Sequence, residues 1–464
     1  MKPKTLLLAS LLAIPLTTQA NDLLRFYTLA VKNDAGIRAA GFARDAALEA
    51  YPQARATLLP QITGSYDRVF NDSDIKVSYT DPTTGLVVPI SSKNDGVDQS
   101  LSVTLTQPLF NLESYYRLKE ADQQVALALL SYQASEQNLL LRVAESYFGT
   151  LAASDGLRSA TAEKDALARQ LELAKQNVEV GISSLTDTEE TEARYDLSVA
   201  TELEAQQSYT AALESLEEIT REPLEDINQR PVRVVPLPGT AEKKPLATLP
   251  EDLQLPVPQP ASAEQWVARA KLGNLDVMSS RIGFTAADQQ MKAAQSRHLP
   301  TVSGTLNYTD SRSEAGALPT QLKGPSAGIR VSLPLFAGGA TQSVVRQARA
   351  TKEQRLAEFD GAERQVERSV RTAYQAVLLG AARVKALRQA QTSSRSALIA
   401  VETGLEIGTR AASDVLNAQQ QRYAAERNYA QARYDYLLAT LRLKALAGQL
   451  GLGDLEAVDR LLVN

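Results

Sequence analysis

Few side chains in this sequence are suited to doing chemistry. There is one histidine, His298, and no cysteine. Catalysis needs an acid, base, nucleophile or metal set that converges, and no Gly-rich phosphate loop stands in for one. No active site, metal site or cofactor is therefore expected. His298 stands ahead of a strand-like run and reads as structural. What remains is a pair of acids in matching places: Asp187 lies six residues after Gly181, and Asp414 six after Gly408. An acid so placed after a turn glycine caps the following helix, favourable by about 0.5–2 kcal/mol. Arg410, between Gly408 and Asp414, reads as a solvated charge worth under about 1 kcal/mol.

These matching places belong to a larger duplication. Shifted by 227, Tyr147 falls on Tyr374, Gly181 on Gly408, Asp187 on Asp414 and Leu216 on Leu443, without a gap. Upstream, Pro108-Leu109-Phe110 matches Pro334-Leu335-Phe336 at a shift of 226. Leu59-Pro60 with Gly64 matches Leu299-Pro300 with Gly304 at a shift of 240. Repeated units of this kind organise the fold. Each copy reads as strands, a long helix, a Gly turn and a return helix. The sequence divides into a leader (1–20), a first copy (21–222), a Pro-rich connector (223–262), a second copy (263–450) and a tail (451–464). Prolines between 223 and 260 forbid a continuous helix or central strand, leaving room for short strands such as 232–235.

The helices are long. Residues 341–407 contain no proline and are rich in helix formers; at 1.5 Å per residue they reach about 100 Å. Residues 113–180 match them. On the second return helix, Tyr429, Ala432, Tyr436, Ala439, Leu443 and Leu446 follow a 3-4 spacing, a heptad seam. Its counterpart in the first copy carries Glu202 as a charged defect. Leu387, Ala390, Ala397, Leu398, Val401 and Leu405 form a similar stripe on the second outgoing helix. Trp266 begins a helix after the connector and packs there. Strands are expected at 62–66, 102–106, 302–308 and 329–333, where polar and apolar residues alternate, as in a sheet wet on one face. The polar segments 71–98 and 312–326 read as surface loops.

The address and charge narrow the class. Lys2 and Lys4 followed by an apolar run from Leu6 to Leu16, then Thr18-Gln19-Ala20, form a signal peptide with cleavage before Asn21. The run is shorter than the roughly 20 residues that span a bilayer as a helix. With Lys2 and Lys4 removed, the formal charge goes from -5 to -7, which disfavours nucleic acid as a partner. Four amphipathic strands cannot close a membrane barrel, which starts at about eight. Oligomerisation would supply the rest.

In Leu58-Leu59-Pro60-Gln61-Ile62, Val103 to Phe110, Val331 to Gly339 and Gly408 to Ala418, the chain resembles the TolC family of outer-membrane factors, over essentially its whole mature length. The resemblance implies an α+β fold. Three chains would form one twelve-stranded transmembrane β-barrel, four strands each, continued by a long periplasmic α-helical coiled-coil barrel. The connector would form a mixed equatorial belt. The implied function is a non-enzymatic outer-membrane tunnel in a Gram-negative cell. It would dock a periplasmic membrane-fusion adaptor and an inner-membrane ABC exporter or proton-driven pump. Lacking a lipid-attachment cysteine, it reads as a type I protein secretion channel, with multidrug efflux as the alternative. A periplasmic coiled-coil adaptor would carry one hairpin rather than two led by strands. The resemblance also assigns a periplasmic gate to Thr186, Asp187 and Arg410, with Arg410 reaching a neighbouring hairpin. Asp414 would line the entrance ring, with Asn417 where the relative has a second Asp. Leu405 stands where the relative has a latch Tyr.

Overall fold

Long proline-free runs become single helices and alternating runs become strands. The computed structural model describes residues 22–80, 82–83, 85–180, 184–221, 224–225, 233–234, 246–250, 255–314 and 319–463. The leader, Gly181 and most of the connector lie outside them. The first copy runs α1 (Asp22–Asn33), α2 (Ala35–Leu48), α3 (Ala50–Ala56), β1 (Gln61–Thr80), β2 (Val87–Phe110), α4 (Leu112–Glu179) and α5 (Leu185–Thr220). Two short strands, β3 (Leu224–Glu225) and β4 (Arg233–Val234), pair antiparallel in the connector. The second copy repeats the order: α6 (Ala263–Gly273), α7 (Leu275–Ser296), β5 (Thr301–Ser313), β6 (Thr320–Ser332), α8 (Ala340–Glu406) and α9 (Ala412–Leu446), before a tail helix α10 (Leu452–Asp459). The matched helices agree within one residue: α4 has 68 and α8 67, α5 has 36 and α9 35.

Two compact units each draw on both copies: one comprises Phe42–Ser131 and Asp276–Ala362, the other Met1–Gly41, Tyr132–Leu275 and Glu363–Asn464. In the first, β1-β2-β5-β6 form one antiparallel sheet. Register places Ile62 opposite Leu105 and Leu105 opposite Leu306, with Val103 opposite Tyr308. That face is apolar yet exposed: Ile62 is 69% and Ile329 74% accessible. The other face is polar, with Ser65 and Ser102 hydroxyls 2.9 Å apart and Thr104 donating to Asn307 Oδ1 at 2.9 Å. The polar segments expected to be loops are largely strand. β1 and β2 keep pairing out to Thr80 and Val87, and Thr320 to Ser326 belong to β6. This outer hairpin of β1 and β2 satisfies its backbone through the ladder, and Ile75, Val77 and Tyr79 alternate along it with Lys76 and Ser78. His298 is exposed in the turn between α7 and β5.

In the second unit a chain of rings links three helices. Phe26 of α1 meets Tyr147 of α4 at 5.8 Å, Tyr147 meets Phe148 at 5.7 Å, and Phe148 stacks on Tyr434 of α9 at 5.8 Å. The Tyr147 hydroxyl donates to the Ala247 carbonyl at 2.8 Å, tying the connector to this core. Trp266 is buried on α6 and donates to the Pro260 carbonyl at 2.8 Å. The α9 seam is buried at Tyr429, Ala432, Tyr436 and Leu443. The charged defect is compensated, since Lys164 of α4 reaches Glu202 at 2.6 Å. On α8 the expected stripe is met in part: Leu398 is buried with Val401 and Leu405 against it, but Ala390 and Ala397 are exposed. The buried line continues through Val384, Val377 and Val370, in heptad step with Leu398 and Leu405.

The duplication extends to helix ends. Asn33 Nδ2 donates to the Thr220 carbonyl at 2.7 Å, and Asn274 Nδ2 to the Leu446 carbonyl at 2.9 Å. Each copy thus uses an Asn to satisfy a carbonyl that its return helix leaves unpaired. Gly448, at φ +66°, ends α9, with its N–H and that of Gln449 bonded back to Ala445 and Lys444. A Cβ there would lie 1.9 Å from the Gly273 carbonyl oxygen. Gly448→Ala should therefore cost more than about 1 kcal/mol, read as a lower melting temperature. An unchanged melt would show that α6 and α9 do not meet as described.

Asp34 closes the α1–α2 junction. Its Oδ1 accepts from Ile37 N–H at 2.8 Å and from Arg142 at 3.0 Å. Burial opposes the charge, but the Arg142 and Ile37 hydrogen bonds outweigh it and hold the carboxyl below its ordinary range. A depressed folded value stabilises above the unfolded value of about 3.9 and is lost as pH falls through the folded one. Melting curves of the parent and Asp34→Asn should differ by about 1 kcal/mol at neutral pH and converge below about pH 4. A difference independent of pH would mean the charge contributes nothing.

Candidate functional site

Two helical turns carry the residues singled out in the sequence. At the α8–α9 turn, Gly408 adopts φ +76°. Its N–H bonds to Leu405 O at 3.0 Å and that of Thr409 to Gly404 O at 2.8 Å, the Schellman arrangement that a residue without Cβ permits. The stem of Arg410 folds over Gly404, so that a Cβ at 404 would lie 2.7 Å from Arg410 Cγ. The Arg410 head thereby comes to Asp414, Nη1 to Oδ2 3.7 Å, with both side chains well exposed. Such a pair is worth little. Asp414 also accepts from the Ala411 N–H at 3.4 Å, so the capping role read from sequence is present.

At the α4–α5 turn, Gly181 lies outside the described residues. Ser184 is the N-cap of α5, accepting from Asp187 N–H at 3.1 Å. Asp187 sits in the first turn, where its charge suits the helix dipole, and its carbonyl accepts from Thr191 Oγ1 at 2.7 Å. Thr186 is exposed. Leu405 lies against Leu398, Val415 and Ala418. The position that carries a latch Tyr in the resembled family therefore fills the apolar interior of its own hairpin.

One link between the two hairpins joins Asn417, singled out in the sequence, to Arg194, which was not. Arg194 of α5 donates from Nη2 to Asn417 Oδ1 of α9 at 2.9 Å, and from Nη1 to Gln420 Oε1 at 3.4 Å. Glu190, one turn back, lies 3.2 Å from the same Nη2. Under the 227 shift Glu190 is the counterpart of Asn417, so Arg194 is held between equivalent positions of the two copies. That correspondence was the available signal. Asn417 is thus a cross-hairpin acceptor as well as an entrance-ring candidate. Higher up, Arg427 of α9 pairs with Glu163 of α4 at 2.8 Å, and Arg442 with Glu145 at 2.7 Å.

A family model described as outer membrane efflux protein matches residues 26–220 and 266–449, the two copies either side of the connector. The chain belongs to the outer membrane efflux protein family. This efflux-family chain is 31% identical over 447 residues to outer membrane protein TolC of Vibrio cholerae, covering 95% of this chain and 93% of that one. It is 33% identical over 442 residues to alkaline protease secretion protein AprF of Pseudomonas aeruginosa, covering 95% and 87%. Among solved structures, the CmeC outer membrane channel of Campylobacter jejuni superposes with a TM-score of 0.72 at 17% identity, covering 95% of this chain and 89% of that one. The efflux-family fold, an α+β channel with internal duplication, is therefore the fold of this chain.

Arg194→Ala in the efflux-family chain removes a charge-assisted hydrogen bond between hairpins, a loss of about 1 kcal/mol. Hydrogen exchange should quicken at residues 185–195 and 412–420 while the melting temperature moves by no more than about 4 °C. Unaltered exchange at both segments would show that the hairpins are held together elsewhere.

Proposed function

We propose that three copies of this chain assemble about one axis as an export tunnel of the outer membrane, serving type I protein secretion. The carrying observation is the four-stranded sheet with one exposed apolar face and one polar face, whose outer strands β1 and β6 each pair on one side. Lipid does not satisfy backbone polar groups. Pairing β1 of one copy with β6 of the next closes twelve strands and leaves no edge. The apolar rows then face lipid and the Ser–Thr–Asn face lines water. Among the described residues no helix is long and apolar enough to cross a membrane.

Each copy contributes two hairpins whose turns meet a periplasmic adaptor and an inner-membrane transporter. The similarity to AprF, a protease secretion protein, supports secretion over drug efflux as the pathway. The turns form the gate. In the closed state Arg410 leaves the weak contact with its own Asp414 for Thr186 or Asp187 of an adjacent hairpin. Asp414, three times around the axis, forms an acidic ring, with Asn417 neutral beside it and engaged by Arg194. Rings of acids favour cations.

The test is a detergent-purified sample in planar bilayers. Its mass should equal three chains, it should conduct with cation preference, and Asp414→Ala should lower that preference. A conducting monomer would overturn the assembly; unchanged selectivity in the variant would leave Asp414 as a helix cap alone.

A further inference from the structure

The two strand hairpins of the sheet share one register. β1 begins at Gln61 and β5 at Thr301, a shift of 240, and Phe110 matches Phe336 at 226. Carried by those shifts, the rung Gln61–Thr106 of β1–β2 becomes Thr301–Ser332, and β5–β6 makes that rung. The two repeats therefore pair their own strands alike. One junction between repeats lies inside the chain, β2 with β5. A junction of β6 with β1 of a second chain is set by the same two shifts. Thr104 opposite Asn307 then becomes Arg330 opposite Asp67.

In that register the unmet features of the two edges fit each other. At the internal junction Leu109 covers Gly304, where a Cβ would lie 3.7 Å from Leu109 Cδ1. The transposed pair is Leu335 and Gly64. Leu335 is 89% accessible, and a Cβ on Gly64 would meet nothing within 4 Å. One edge thus carries a knob without a hole and the other a hole without a knob. On the polar face Thr104 donates to Asn307 at 2.9 Å, and Arg330 and Asp67 take those places with opposite charges. Both are exposed, and on their own sheet they face only Ser303 and Ser100. Further out, Lys323, 3.3 Å from Asp310 of its own sheet, falls opposite Asp74. A slip of two residues keeps every side chain on its face but sets Arg330 against Ser65 or Val69 and moves Leu335 off Gly64.

Backbone direction is transposed as well. Glu314 N–H donates to the Val97 carbonyl at 3.1 Å, so every second residue from Val97 turns its backbone toward β5. Thr104 lies between those, on a rung without backbone bonds, where opposed Cα atoms approach to about 4.5 Å. Pro325, without an N–H, turns to the outer edge of β6 and leaves the rung opposite Asp72 one bond short.

We propose that β6 of one chain pairs with β1 of the next in this register, with Arg330 and Asp67 ion-paired across the seam and Leu335 seated on Gly64. The inference rests on the trimeric channel reading and names the residues that join its chains. An exposed ion pair adds little affinity. Its work is selection, since either slip leaves both charges opposite neutral groups.

The chain has no cysteine, so introduced pairs report cleanly. Full-length chain carrying Asp67→Cys with Arg330→Cys is oxidised in isolated outer membranes and run on a denaturing, non-reducing gel. Opposed residues lie within disulfide reach, whereas those displaced by two stand roughly 7–8 Å apart. Covalent dimers and trimers are expected, several-fold more abundant than from Arg330→Cys with Ser65→Cys or with Val69→Cys. Crosslinking that favours a displaced pair overturns the register and leaves the trimer standing, as does its absence from all three in a sample whose mass is three chains. A mass of one chain overturns the assembly itself, and the seam with it. Charge reversal gives a second reading without cysteines. Asp67→Arg or Arg330→Asp alone should lower the temperature at which trimers dissociate in detergent, and the two together should restore it. Failure of the double exchange to restore it overturns the ion pair.

Discussion

Inside a bilayer a peptide N–H or C=O without a partner has no water to turn to. The sheet here meets that demand along β2 and β5 and leaves it open along the outer sides of β1 and β6. Four strands are too few to curl back on themselves, so in the proposed trimer the demand passes to other copies of the chain. Much else follows from it. Each copy of the repeat supplies two strands and two long helices, so strands and helices enter the assembly in equal number. The helices must also reach equally far, and α4 and α8 differ by one residue, as do α5 and α9.

The elements with strong periodic or negative signals were legible from residues alone. Proline-free runs gave the ends of α4 and α8 within a residue, because nothing inside them could stop a helix. The seam on α9 was legible because Tyr429, Tyr436 and Leu443 repeat at seven. The outer halves of β1 and β2 were not. The many Asp, Ser and Thr residues between Asn71 and Asp98 outweighed the short alternation at Ile75, Val77 and Tyr79, and the backbone ladder pairs them whatever their side chains. The α8 stripe failed at Ala390 and Ala397, because alanines fit either face of a helix; Val370, Val377 and Val384, in step with Leu398, reveal which face is shut away.

The site was legible in position and less so in partnership. Gly408, Asp187 and Asp414 mark where the chain turns and where helices begin, all local properties. Arg194 and Asn417 meet across 223 residues, and neither carries a local sign of the other. The two Asn-to-carbonyl contacts, from Asn33 and from Asn274, occur at corresponding places, so backbone closure has stayed alike in the two copies. The side chains at the turns have diverged, with Arg410 in one copy and no arginine at the matching residue 183 of the other.

Joining the two copies in one polypeptide has a kinetic consequence. Were each copy a separate chain, a closed assembly of six would have to collect six molecules from dilute solution. Tethered partners meet at an effective concentration that can reach roughly millimolar for short flexible links, so one joining step in each of the three chains becomes intramolecular. The proposed ring then forms in a reaction of lower order in protein. Its two kinds of hairpin cannot be mixed in the wrong ratio, because translation has already counted them.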